Sequence, residues 1–268
     1  MVKHSAFLHT AIKAAKAAGV IIRKNFDSAP TVSIKKDSSF LTTTDLAAEK
    51  EIITILKKTF PHHQIYSEEA GAIRSAGTSE YLWLVDPLDG TTNFSIHNPF
   101  FNTAIALLHN GTPIVAVVYN PIANELFYAE RGTGAFLNKK QIHVSAEKDP
   151  RNGVLSFCHG STDKAVARSC LVSTSLKKNL TKHVRQLGAA DLDMCYVAAG
   201  RVLCYYSTGP VLHPYDIYPG MLIAQEAGAV VSDSAGKPFT SKSTDILVSA
   251  PSVYDELLKH IHAALKHH

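Results

Sequence analysis

The stretch Asp86-Pro87-Leu88-Asp89-Gly90-Thr91-Thr92-Asn93 places two carboxylates three residues apart, directly after the apolar run 81–85. Pro87 and Gly90 are turn residues, so the spacing predicts a tight turn. It would set Asp86 and Asp89 on one rim, with the amides of Gly90 and Thr91 pointing outward. Hard carboxylate oxygens beside free amides are what a Mg²⁺–phosphate site requires. Like charges held this close raise each other's pKa unless a cation neutralises them, which argues for a metal. Alone, Asp-x-x-Asp-Gly is also an ordinary surface turn, and it lacks the alternate-position acids of a calcium loop. Two further acidic positions add weight. Ser67-Glu68-Glu69 ends the strand-like run 64–66, and Tyr215-Asp216 stands just before a helix expected over about 219–227. Other schemes fare badly. There is no Gly-x-Ser-x-Gly elbow and no Walker loop, and Ser-x-x-Lys recurs at unrelated places, Ser33, Ser161 and Ser175 among them.

The elements that must position these residues follow from periodicity. Residues 5–25 are Ala-rich with Leu8, Ile12, Ala15 and Ile22 at helical spacing. A second helix starts near Thr44 and Asp45, carries Leu46, Ile53, Leu56 and Phe60 on one face, and ends at Pro61. Residues 81–85 suit a buried strand, and 103–108, 114–119 and 125–130 read as a meander with turns at His109-Asn110-Gly111-Thr112 and Asn120-Pro121. The second half alternates strand (154–158), helix (163–171 and 192–199), strand (202–206), the helix over 219–227, strands (229–231 and 246–248) and a final helix over 253–265. The expected class is α/β with substantial antiparallel pairing, or α+β. One domain is expected over 1–268. Its subdomains would be about 1–145, with most of the metal ligands, and about 146–268, joined near 145–152.

Composition narrows the function. With 46% hydrophobic and 19% charged residues, 268 positions supply ample core. The net charge of +4 comes from scattered pairs such as Lys35-Lys36, Lys139-Lys140 and Lys177-Lys178, not from one stripe, so a nucleic-acid partner is not expected. Cys158, Cys170, Cys195 and Cys204 sit in apolar surroundings without CxxC spacing and read as buried, reduced thiols. Lys13 and Lys16 interrupt the N-terminal apolar stretch and no run approaches a membrane span, so the expectation is a cytoplasmic protein without a membrane partner.

The motifs resemble, in order along nearly the whole chain, those of the inositol monophosphatase family, a branch of the lithium-sensitive, metal-dependent phosphatases. The resemblance is carried by Leu41-Thr42-Thr43-Thr44-Asp45 with Glu49, by Glu68-Glu69, and by the block from Asp86 to Asn93. It continues through Gly111-x-Pro113 to Asn120-Pro121, Glu125-Leu126-Phe127 and Gly132-x-Gly134-Ala135-Phe136-Leu137-Asn138. It closes with Gly188-Ala189-Ala190, Ala198-x-Gly200-Arg201, Tyr215-Asp216 and Glu226-Ala227-Gly228. The Thr92-Asn93 ending is closer to inositol-type enzymes than to 3′-phosphoadenosine 5′-phosphate phosphatases.

The resemblance implies a layered αβαβα sandwich of two mixed-sheet subdomains. It implies a phosphoric monoester hydrolase that acts on a small phosphorylated metabolite such as inositol 1-phosphate and works as a homodimer. Glu68, Asp86 and the carbonyl of Leu88 would bind one Mg²⁺, and Asp86, Asp89 and Asp216 a second, with a weaker third ion at Glu68. Thr91, oriented by Asp45, would accept a hydrogen bond from the attacking water, and the amides of Gly90 and Thr91 would cradle the phosphate. Asp45 could equally be a helix cap, and Thr91 a turn-stabilising hydroxyl. Gly188, Ala189, Asp191, His213 and Tyr218 would border the leaving group. His260, His262, His267 and His268 read as a solvated terminus and not a zinc site.

Three positions depart from the family pattern. Tyr215 replaces a usual Trp, Tyr218 fills a place normally held by a small residue, and no carboxylate occurs around Ser207-Thr208-Gly209, where Asp191 is the nearest substitute. Histidinol phosphate and fructose 1,6-bisphosphate are therefore the alternative substrates. Some bacterial members of the family bind the transcription machinery, so a mainly regulatory role is a further alternative.

Overall fold

The computed structural model describes residues 4–28, 32–35, 40–73, 79–160, 162–208 and 213–266. Lys36, Ser161, Gly209, His267 and His268, named above, lie outside them.

Helix α1 (Ala6–Phe26) is capped by the Ser5 hydroxyl, and its Ala-rich face lies close on the sheet beneath it. Gly19 makes that approach feasible, since a Cβ there would stand 2.5 Å from the Tyr119 ring. Strands β1 (Val32–Ile34) and β2 (Phe40–Thr42) pair antiparallel and lead into α2 (Thr43–Thr59). Then come β3 (Gln64–Ser67), β4 (Gly71–Ile73), β5 (Tyr81–Asp89), the short α3 (Thr91–Ser95), β6 (Asn102–His109), β7 (Thr112–Asn120), β8 (Glu125–Glu130), β9 (Ala135–Leu137) and β10 (Lys140–Ile142). From β3 onward these strands form one eight-stranded sheet, order β10-β9-β8-β7-β6-β5-β3-β4, antiparallel except for the parallel β3–β5 pair.

The chain leaves that sheet at Ile142 and builds a five-stranded one from β11 (Leu155–Cys158), β12 (Val184–Arg185), β13 (Cys204–Thr208), β14 (Val230–Ser232) and β15 (Asp245–Ser249), order β12-β11-β13-β15-β14. Helices α4 (Asp163–Asn179), α5 (Ala190–Ala198), α6 (Pro214–Glu226) and α7 (Tyr254–Leu265) are interleaved with it.

Packing gives five layers. Helices α1 and α2 cover one face of the large sheet around Trp83, Ile105 and Val117. Helices α5 and α6 fill the space between its other face (Ala104, Val118, Phe127) and the small sheet (Tyr205, Val248). Helices α4 and α7 close the far side over Leu155, Tyr206 and Leu247. This is the αβαβα sandwich that the resemblance implies. Among the described residues no helix is long and apolar enough to cross a membrane.

Four expectations change. Leu46 is 48% exposed, and the inward face of α2 is instead Thr44, Asp45, Ala48, Glu49, Ile52 and Leu56, because two acids turn inward. Helix α6 begins at Pro214, so Asp216 lies in its first turn and not before it. Cys195 and Cys204 are buried as expected, but Cys170 is exposed on α4. The fourth change is the predicted turn at Asp86–Asp89, which is a bulge inside β5.

Candidate active site

Strand β5 runs through the whole Asp86-Pro87-Leu88-Asp89 segment. Asp86 pairs with Ala104 and Asp89 with Asn102, so three steps on β5 match two on β6. In a regular strand, residues three apart point to opposite faces. The extra residue cancels that alternation and turns both aspartates toward α5 and α6. Pro87 suits the bulge because it has no N–H to offer the ladder, and its carbonyl accepts from the Thr103 hydroxyl at 2.9 Å. Asp86 Oδ1 accepts the Leu88 amide at 2.9 Å and tightens the kink. Gly90 follows in the left-handed region (φ 89°) and opens α3. A Cβ there would meet Ala189 Cβ and the Phe100 carbonyl at 3.1 Å.

Behind this loop stands α2. Asp45 completes a capping box, its Oδ2 accepting the Thr42 amide at 2.9 Å and the Thr42 hydroxyl. Its Oδ1 faces the Thr91 hydroxyl at 3.1 Å, which also lies 2.9 Å from the Leu88 carbonyl. One buried carboxylate thus both starts a helix and fixes a hydroxyl. One turn on, buried Glu49 accepts the Ser67 hydroxyl and the amides of Glu69 (3.1 Å) and Ala70 (3.0 Å). Ser67 therefore faces α2, and strand alternation sends Glu68 to the Asp86 side. The Glu68 amide is held by the Val85 carbonyl at 3.0 Å. Lys35 pairs with Glu68 at 2.7 Å and also with Glu69.

From the other side, α6 brings Asp216 in its first turn, where the helix dipole favours a carboxylate. Helix α5 starts with its Ala190 and Asp191 amides on Asp89, at 3.3 and 3.0 Å. Asp191 is fully buried, its Oδ1 accepting the Gly220 amide at 2.6 Å, so it forms part of the wall rather than the rim. Asn93 donates to the Phe100 and Leu187 carbonyls and so draws Gly188 and Ala189 against the Gly90 loop. His213 precedes α6 without a side-chain capping bond and stacks flat on Tyr215, 5.1 Å between centroids. Tyr218 is half-buried against the Leu84–Leu108–Tyr215 group, with Phe239 at 6.4 Å on its other side. Ser207 and Thr208 are buried in β13, where the Thr208 hydroxyl is bound to α4.

These acids perturb one another electrostatically. Burial first, and then the charges of Glu68, Asp89, Asp216 and Asp191, push the Asp86 carboxyl well above the usual carboxylate range. Asp216 rises likewise, from burial and then Asp89 and Glu68. Asp89 also rises through burial, but only to about 6, because Asn102 and the Asp191 and Ala190 amides donate to it. Burial alone would lower the Lys35 ammonium, yet its two glutamates raise it above the ordinary lysine value. Several anions cannot all stay ionised in a buried site without a counter-charge. Among the described residues no three acids, histidines or cysteines form a ready coordination cluster, and Glu68 is turned to Lys35. The donor chemistry nevertheless fits a hard divalent cation: carboxylate oxygens and the Leu88 carbonyl, crowded until they repel one another.

Four residues have roles here that the motifs did not assign. Lys35 and Asn102 have no local signal of their own. Glu49 shows only as an acid one helical turn after Asp45, and Asn93 only as the end of the aspartate block. Each acts through a partner distant in sequence.

A model of the inositol monophosphatase family matches residues 3–266. The sequence is 40% identical to the Nus factor SuhB of Vibrio cholerae over 256 residues, 95% of each chain. It is 38% identical to the inositol monophosphatase of Mesembryanthemum crystallinum over 258 residues, again 95% of each chain. Among solved structures, the inositol monophosphatase from Anabaena (Nostoc) sp. PCC 7120 matches with a TM-score of 0.84 at 32% identity, covering 98% of both chains.

Proposed function

The chain belongs to the inositol monophosphatase family, and on that premise we propose that it is a Mg²⁺-dependent phosphomonoesterase acting on a small phosphorylated polyol or sugar such as inositol 1-phosphate. The observation that carries the reading is the convergence of Glu68, Asp86, Asp89 and Asp216, from three separate segments, into mutual Coulomb reach. In this reading Glu68, Asp86 and the Leu88 carbonyl would hold one Mg²⁺, and Asp86, Asp89 and Asp216 a second. Glu68 would also hold a weaker third ion. Bound there, the ions would lower the pKa of the attacking water and neutralise charge on the phosphoryl and leaving oxygens.

The chain's own groups supply the rest. Thr91, its proton directed at Asp45 or the Leu88 carbonyl, keeps a lone pair to accept from the attacking water and aim it. The Gly90 and Thr91 amides, which no capping side chain takes, bind phosphate oxygens. Gly188, Ala189, His213 and Tyr218 border the leaving group. Phosphate release by purified protein, measured on inositol 1-phosphate, histidinol phosphate and fructose 1,6-bisphosphate, tests the reaction and ranks the substrates. The expected result is release that needs Mg²⁺, falls with Ca²⁺ and is inhibited by Li⁺; full release in excess chelator would end the reading.

The Nus factor name of the Vibrio relative supports a second reading, association with the transcription machinery. Co-purification of RNA polymerase with both the wild type and an inactive Asp86→Asn variant is the expected sign. Its absence from both removes this reading alone.

A further inference from the structure

Asp89 is gripped by two side chains that each keep a buried oxygen without a partner, Asn102 Oδ1 and Asp191 Oδ2. Asn102 Nδ2 donates to Asp89 Oδ2 at 2.7 Å, which fixes the amide orientation, since a carboxylate can only accept. The Asp191 amide donates to the same oxygen at 3.0 Å, while the Asp191 side chain is held through Oδ1 by Gly220. Both residues are 0% exposed, so bulk water does not satisfy the orphan oxygens. Asp191 also lies within Coulomb reach of Asp86, Asp89 and Asp216.

The hydrogen-bond arithmetic points one way. Two donors occupy Asp89 Oδ2, and Oδ1 carries only the longer Ala190 contact at 3.3 Å. Asp89 therefore has little more than one lone pair left for a cation. Mg²⁺ demands six ligands and surrenders its waters reluctantly, so an ion held this sparingly stays partly hydrated. Its waters are donors, and acceptors beside Asp89 are what they need.

We propose that Asp191, seconded by Asn102, is a positioning residue of the metal site, its free Oδ2 accepting from water carried by the cation on the Asp89–Asp216 side. The inference rests on the metal-dependent reading above. It makes Asp191 a determinant of Mg²⁺ affinity from within the wall, without substrate contact.

Asp191→Asn keeps the acceptor for Gly220 and replaces the free oxygen with a donor, so the helix contact survives and the water site does not. Measured without substrate, the Mg²⁺-induced rise in melting temperature should need about tenfold more Mg²⁺ than in the wild type, the usual scale for an outer-shell carboxylate. Turnover lost at low Mg²⁺ should recover as Mg²⁺ is raised, which a merely structural defect would not do. Asp193→Asn is the control, because that buried acid is held by the Ser156 hydroxyl and should titrate with Mg²⁺ as the wild type does. Asn102→Ala leaves the Gly220 contact alone and should shift the requirement in the same direction, which keeps the test open if Asp191→Asn folds poorly. An unchanged Mg²⁺ requirement in the folded variants, or an equal shift in Asp193→Asn, overturns the inference while the metal reading stands. A wild type with no Mg²⁺ response overturns that reading itself.

Discussion

The two walls of the site hold their acids by opposite means. On the large-sheet side every acid is tied within the protein. Asp45 takes Thr42 and Thr91, Glu49 takes Ser67 and two amides, Asp89 takes Asn102, and Glu68 pairs with Lys35. On the α5–α6 side, Asp191 and Asp216 sit in first turns of helices, and Asp191 keeps an oxygen with no partner. The first wall is preorganised, so damage to it at Asp45, Asp86 or Thr91 should appear chiefly as lost rate, and only its Asn102, beside Asp191, should act through the metal requirement. On the proposed function the second would meet a cation and a substrate, so damage there should appear as altered metal requirement or substrate choice.

The sharpest test of that contrast is Asp86→Asn. Asp86 faces acids from both walls, so its charge should be worth more than ~10³ of turnover, about 4 kcal/mol of transition-state stabilisation. Steady-state phosphate release at saturating Mg²⁺ measures it, and a loss below tenfold would remove Asp86 from the centre. Next comes Thr91→Ala, expected to lower turnover by about 10²–10⁴ with little change in KM. A variant as fast as the wild type would leave Thr91 the lesser task of tying β5 to α2.

Tyr218→Ala probes the other wall and should change preference more than rate. The specificity constants for inositol 1-phosphate, histidinol phosphate and fructose 1,6-bisphosphate should shift relative to one another by roughly tenfold. The motive is chemical. Buried Ser207 and Thr208 offer a sugar hydroxyl no charge-assisted hydrogen bond, a contact worth roughly 1.5–3 kcal/mol. If the order is unchanged and only the melting temperature falls, Tyr218 serves the packing with Leu84 and Phe239 instead.

The smallest effect lies toward the start of β5. Trp83, the single tryptophan, donates its Nε1–H to His63 Nδ1 at 3.1 Å. Burial first, then the charge of His62, lowers the His63 pKa below its ordinary 6.5. The native state then binds fewer protons than the unfolded one, so this contribution to stability is lost as pH falls from 6.5 through the native value. Trp83 fluorescence should follow that loss, and His63→Gln, which can accept at any pH, should flatten it. The same pH response in His63→Gln would assign it to another group.

The sequence by itself determined the family and the class of fold. The aspartate block, Glu68-Glu69 and Tyr215-Asp216 are local patterns, and strands 81–85, 103–108, 114–119 and 125–130 announce themselves because apolar periodicity is a local consequence of burial. The same logic misled at α2. The apolar stripe pointed to Leu46, whereas Asp45 and Glu49 face inward, since a functional site overrides the rule that helices bury their apolar side. It also could not distinguish a turn from a bulge at Asp86–Asp89, because a bulge exists only in register with a partner, here Ala104 and Asn102. Tertiary structure alone decided which distant groups meet: Lys35 on Glu68, Asn102 on Asp89, and Asp191 between Asp89 and Gly220. Those contacts join residues tens to a hundred positions apart, and hydrogen-bond partners at such separation are chosen by how sheets and helices pack, which no short window of sequence contains.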